Sequence, residues 1–181
     1  MASKKSAIFV GGALLAAAAA YGFARKGTSD LATVDSVDLS RYLGRWFEIA
    51  RIPNRFEKNC IGDATANYTR TDDGKIAVVN SCRRPDGRLE EVKGTARVVD
   101  TTTNAKLKVS FLWPFSGDYW IIGLDPDYRW TVVGEPRRRF LWILSREPRM
   151  SDFDYNQAIR TAGEKGYDTT KLKMTLQRDV H

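Results

Sequence analysis

From residue 38 onward, apolar and polar side chains alternate with a period of two. Ala64-Thr65-Ala66-Asn67-Tyr68-Thr69 and Ile76-Ala77-Val78-Val79-Asn80-Ser81 alternate on either side of Asp72-Asp73-Gly74, and an Asp-Gly pair between two such runs predicts a β-hairpin. Val92, Gly94, Ala96 and Val98 interleave with Glu91, Lys93, Thr95 and Arg97, and Leu107, Val109 and Phe111 with Lys106, Lys108 and Ser110. Runs at 119–124, 130–134 and 140–145, with 45–51 ahead of them all, complete eight expected strands. Eight sequential strands joined by short turns suit an all-β, antiparallel up-and-down barrel, in which closure removes the sheet edges. A two-sheet sandwich is the competing architecture. It fits less well, because nearly every strand has one apolar face while the turns stay short.

The period then changes. Ser151 is placed to cap a helix whose first turn carries Asp152 and Asp154, favoured there by the helix dipole. Tyr155, Ala158, Ile159 and Ala162 share one face, and Gly166 marks the stop. This single helix is expected to pack outside the barrel, against outward Leu141 and Ile143. Leu172, Met174 and Leu176 alternate again as a last short strand.

The first residues follow neither pattern. Lys4 and Lys5 precede an uncharged, alanine-rich run over residues 7–24, and Arg25 and Lys26 close it. As a helix the run would reach about 27 Å, marginal for a bilayer core. Residues 1–26 therefore read as a cleaved signal peptide or a retained membrane anchor. Residues 27–37 read as a polar tether and 38–181 as the domain. Either reading of the leader puts the domain outside the cytoplasm, in the periplasm or on the cell envelope. The first cysteine is Cys60, so no lipid-modified cysteine is expected at the leader.

Composition narrows the chemistry. The one histidine is His181, the last residue, so a Ser-His-Asp or Cys-His site would have to use a chain terminus. Two cysteines and that histidine cannot close a structural zinc site, and the glycine-rich phosphate loops are absent. The net charge is +7, of which Lys4, Lys5, Arg25 and Lys26 against Asp30 supply three. The remainder is too small a surplus to argue for nucleic acid. A binding protein without cofactor or metal is expected, and no enzyme.

Three stretches carry a family resemblance. Tyr42-Leu43-Gly44-Arg45-Trp46-Phe47-Glu48-Ile49-Ala50-Arg51 resembles the G-x-W opening strand of the lipocalins, with Gly44 and Trp46 as its signature. Leu124-Asp125-Pro126-Asp127-Tyr128 stands where that family has a second signature, and Leu141-Trp142-Ile143-Leu144-Ser145-Arg146 is similar to its last barrel strand and arginine. Leu107-Lys108-Val109-Ser110-Phe111 with Pro114-Phe115 resembles the bacterial outer-membrane, apolipoprotein D-like group within it. The resemblance runs over residues 38–176. It implies a barrel that binds fatty acids or lysophospholipids, as a monomer or homodimer, in storage, transfer or scavenging of membrane lipid. It leaves a lipocalin-like isomerase or de-epoxidase, and a haem or pigment binder, as alternatives. Trp46 and Arg146 are expected to have a structural role, an indole at the barrel floor covered by a guanidinium.

Alternating hairpins put the turns at 72–74, 100–104 and 125–128 at one end with Trp46 and Arg146, the closed end. The mouth then carries Arg55, Phe56, Arg84, Trp113, Phe115, Arg137, Arg138 and Arg139. Basic groups mixed with aromatics suit an anionic headgroup or an anionic membrane surface, and charged solvated loops are the plainer alternative. The pattern points Ala66, Tyr68, Ile76, Val78, Val92, Ala96, Leu107, Val109 and Phe111 inward. Tyr119, Ile121, Val132, Phe140 and Trp142 are expected to join them. Glu48, if inward, would recognise a ligand or pair with an arginine. Cys60 and Cys82 fall at mouth-side ends of neighbouring strands, where an exported protein would join them in one disulfide. Free buried thiols are the alternative.

Overall fold

The computed structural model of the protein describes residues 31–178. The leader expected over residues 1–26 lies outside them. A single helical turn, α1 (Leu39–Tyr42), is capped by Asp38, whose carboxylate accepts from the backbone N–H of Ser40 and Arg41. Eight strands follow: β1 (Gly44–Arg51), β2 (Gly62–Arg70), β3 (Ile76–Arg83), β4 (Leu89–Val98), β5 (Lys106–Leu112), β6 (Phe115–Leu124), β7 (Trp130–Gly134) and β8 (Leu141–Ser145). Each pairs antiparallel with its neighbours, and β1 pairs with both β2 and β8, so the barrel closes. This is the up-and-down barrel that the alternation predicts, with a ninth, two-residue strand, β9 (Lys173–Met174), on β1 outside it.

Closure is shared along the length of β1. Its floor half, Gly44–Phe47, pairs with β2. Farther up, the carboxyl-terminal segment is laid between the two strands. Thr175 N–H donates to Ile49, Asp63 N–H to Leu176 and the Gln177 side chain to the carbonyls of Glu48 and Ala64. A Cβ on Gly62 would stand 2.6 Å from the Leu176 carbonyl oxygen, so the close approach of the tail requires glycine there.

Helix α2 (Asp152–Glu164) starts at Ser151, which accepts from the Asp154 N–H. It buries Ala158 and Ala162 against a layer that includes Leu141, Ile143, Val132 and Ile122 on the outside of the barrel. Gly123 lets it come close, since a Cβ there would lie 2.7 Å from Thr161 Cγ2.

The tether expected over 27–37 needs correction where it is described. Leu31 and Val37 are 3% exposed, and backbone bonds run from Val34 N to Ile121 O and from Val37 N to Thr103 O. Two buried aliphatics and two backbone hydrogen bonds outweigh the polar composition, and residues 31–37 pack with the domain.

Candidate functional site: the barrel interior and its mouth

The closed end is built first from Gly44, whose φ of +93° turns the chain from α1 into β1. Trp46 is wholly buried there; its indole N–H donates to Tyr42 O at 2.8 Å. The Arg146 guanidinium lies 3.7 Å over the indole ring and caps the carbonyls of Arg41, Tyr42 and Arg45. Tyr128 adopts φ +61°, accepts from Asp38 N–H through its hydroxyl and carries Arg41 over its ring. Asp127 donates its N–H to the buried Asp125 carboxylate within the same turn.

Above this floor three tyrosine hydroxyls meet. Tyr119 Oη is 2.8 Å from Tyr42 Oη and accepts from Tyr68 Oη at 3.0 Å. Burial pushes the Tyr42 phenol up to about 12 and raises Tyr68 and Tyr119 as well, so the trio stays neutral. Ile76, Val78, Ala96, Leu107 and Ile121 are packed with it and buried. These five positions, expected along the cavity wall, form the solid lower core.

Toward the mouth the inner wall is less tightly sealed. Val109 and Trp142 face inward and are half-buried, while Val92 is 46% and Phe111 42% exposed. Ala66 leaves room on β2, and Gly94 lies directly under the Phe111 ring. Asn80, paired across the sheet with Ala66 and Val92, has a buried side-chain oxygen with no hydrogen-bond partner among the described residues. Phe140 stacks on Trp142 at 6.1 Å and meets Phe56 at 5.6 Å, which places both at the inner rim.

Val132 is a correction. It is fully buried in the outer layer beneath α2, and Val133 faces the barrel in its place. A bulge in β6 pairs Ile121 with Val133 but Gly123 with Val132. The alternation could not report this, because every residue of β7 is buried on one face or the other.

Glu48 points inward, opposite Leu144 of β8. Its carboxylate accepts from Arg51 Nη1 and from the Thr175 hydroxyl, so it is paired with an arginine. Burial, and then the nearby Glu57 carboxylate, push its own carboxyl up to about 7. Residues three apart on a regular strand lie on opposite faces. A bulge between Glu48 and Ala50 brings Arg51 to the same side, beside Trp142. Sequence reasoning missed Arg51 for this reason, and it did not single out Glu57. Glu57 reaches in from the 52–61 loop: its Oε2 lies 3.3 Å from Arg51 Nε, and it accepts from Asn54 Nδ2 at 2.6 Å and from Trp142 Nε1 at 3.2 Å. The faint signal was its place six residues after Arg51, in a loop short enough to fold back.

At the rim, Cys60 and Cys82 are joined in a disulfide that ties this loop to β3. Trp113 is 88% exposed at the tip of the β5–β6 hairpin, with Leu112 and Phe115 exposed beside it. The arginines are more engaged than a free basic rim implies. Arg84 pairs with Glu90 and Arg139 with Glu135, Arg55 lies over Phe56, and Arg137 donates its backbone N–H to Glu135. Arg138 needs correction as a mouth residue, because its Nε donates to Lys165 O at the end of α2. The helix terminus, with its unsatisfied carbonyls, attracts that cation outward. Among the described residues no cluster of His, Cys, Asp and Glu is arranged to hold a metal ion.

Comparison with known proteins agrees with this architecture. A lipocalin-like domain matches residues 37–177. The chain is 39% identical to temperature-induced lipocalin-1 of Arabidopsis thaliana over 83% of its length and 85% of the relative's. It is 42% identical to outer membrane lipoprotein Blc of Escherichia coli K12 over 77% and 78%, and 35% identical to mouse apolipoprotein D over 79% and 78%. Among solved structures, insecticyanin of Manduca sexta superposes with a TM-score of 0.69 at 21% identity, covering 83% of this chain and 86% of the other. The match over residues 37–177 and the identity to these relatives show that the chain belongs to the lipocalins, in the company of the Blc type.

Proposed function

We propose that the protein binds a small amphiphile, a fatty acid or lysophospholipid, with its chain in the upper half of the barrel and its headgroup at the mouth. The observation that carries this reading is the gradient of burial along the inner wall. Below, Trp46, Val78 and Ile121 are sealed; above, the inward positions Val92 and Phe111 keep nearly half their surface accessible. Each chain methylene leaving water there contributes about 0.8 kcal/mol. Binding without turnover is the reading, because the inward polar groups, the tyrosine trio and Glu48 with Arg51, are engaged with one another. The disulfide and the outer-membrane relatives support an exported protein of the cell envelope. The exposed Leu112, Trp113 and Phe115 support contact between the mouth and a membrane surface.

The test is lipid extraction of purified protein followed by mass spectrometry, together with titration of a fluorescent fatty acid. One bound chain per barrel is expected. A barrel that yields no lipid and takes up no probe refutes the reading.

A further inference from the structure

We propose that Arg51 and Trp142 form a carboxylate-binding clamp on the inner wall, and that the Glu57 carboxylate of the mouth loop occupies it as an internal stand-in for a fatty-acid headgroup. The inference rests on the lipid-binding reading above and deepens it by naming the headgroup class.

The donors are set by the sheet. Arg51 and Trp142 are cross-strand partners of β1 and β8, so their side chains stand side by side on one face. The other guanidinium nitrogens are committed, Nη1 to Glu48 and Thr175 and Nη2 to Cys60 O. Nε is left facing Glu57 at 3.3 Å. The Trp142 indole N–H aims at the same carboxylate, 3.2 Å and 3.3 Å from its two oxygens. An indole N–H shared between both oxygens, with a guanidinium nitrogen 3.3 Å from one of them, suits a carboxylate.

Glu57 is the part able to leave. It stands on a loop and not on a strand, its side chain is 22% exposed against 5% for Glu48, and beyond the clamp its side chain is held by Asn54 of the same loop. Glu48 and Glu57 already share the cation Arg51. A third carboxylate would be uncompensated in this half-buried place, so a ligand anion enters by exchange with Glu57. Its tail would then start at Trp142 and run along the less tightly sealed wall near Val92 and Phe111. The disulfide at Cys60 limits how far the loop moves when Glu57 swings out.

The experiment compares dodecanoic acid with dodecanol by calorimetric titration of wild type, Glu57→Ala and Glu57→Ala/Trp142→Phe. Vacating the clamp should strengthen dodecanoic acid binding about tenfold or more, the scale of a hydrogen bond to a charged group, and leave dodecanol unchanged. The gain should vanish in the double variant, which keeps the aromatic ring and loses its N–H. Acid and alcohol shifting together, or no gain for the acid, overturns the clamp. Weaker lysophosphatidylcholine binding in Glu57→Ala, without a gain for the acid, overturns it too and makes Glu57 the partner of a cationic headgroup. If dodecanol binds and the acid shows no gain, only the clamp fails. If neither probe enters the wild type, the lipid-binding reading fails and takes the clamp with it. Circular dichroism and the retained disulfide check that each variant folds.

Discussion

Replacing Glu48 by glutamine should change how stability depends on pH, and the structure gives the size. Glu48 is 4% exposed inside the barrel, and it shares Arg51 with a second carboxylate. Burial lifts its carboxyl from 4.5 to about 7. A carboxyl raised by folding is protonated more tightly in the native state than in the unfolded chain. Its contribution is therefore complete below pH 4.5 and is lost as pH rises toward 7. Over that interval the wild type should lose about 3 kcal/mol relative to a variant that cannot ionise at this position. Aspartates such as Asp73, held down to about 2 by hydrogen bonds from Lys75 and Thr71, act below that interval. Urea unfolding of the oxidised protein, followed by tryptophan fluorescence at several pH values between 4 and 8, measures the effect. The Glu48→Gln minus wild-type difference should grow with pH and level off above 7. Parallel curves would mean that Arg51 fully compensates the buried charge, and would refute the reasoning.

Three further outcomes are expected. Arg146→Ala removes a cation from the Trp46 ring and three carbonyl contacts. It should cost about 2–3 kcal/mol in denaturant unfolding, with probe affinity unchanged once the variant is fully folded. Reducing Cys60–Cys82, which spans a sequence separation of 22, should cost about 3 kcal/mol, and unfolded, unreduced protein should react with no thiol reagent at either position. Gly134→Ala would put a Cβ 2.1 Å from the Tyr167 hydroxyl, which exchanges hydrogen bonds with the Glu135 backbone. A drop of about 1–3 kcal/mol is expected, and a thermal midpoint equal to wild type would show that the tyrosine simply moves aside.

Period-two alternation, the Asp-Gly turn and the Ser151 cap are local signals, and they suffice for eight strands, one helix and their order along the chain. The floor was equally legible. Gly44, Trp46 and Arg146 carry the family resemblance, which implies their place at the floor, and the parity of the hairpins puts the turns beside them at the same end. What alternation cannot carry is a change of parity. The bulge after Glu48 brings Arg51 into the barrel, and the bulge in β6 sends Val132 outward and Val133 inward. Both are decided by packing across the sheet, since α2 presses on one side and the core fills the other. Leu31 and Val37 look like tether residues until tertiary contacts bury them. Glu57 becomes interesting only once a loop folds its carboxylate onto Trp142. The sequence by itself determined the strands, their order and the closed end, because those depend on neighbours along the chain. The tertiary structure alone decided which polar groups meet inside, because that depends on register, and one added residue in a strand reverses every face beyond it.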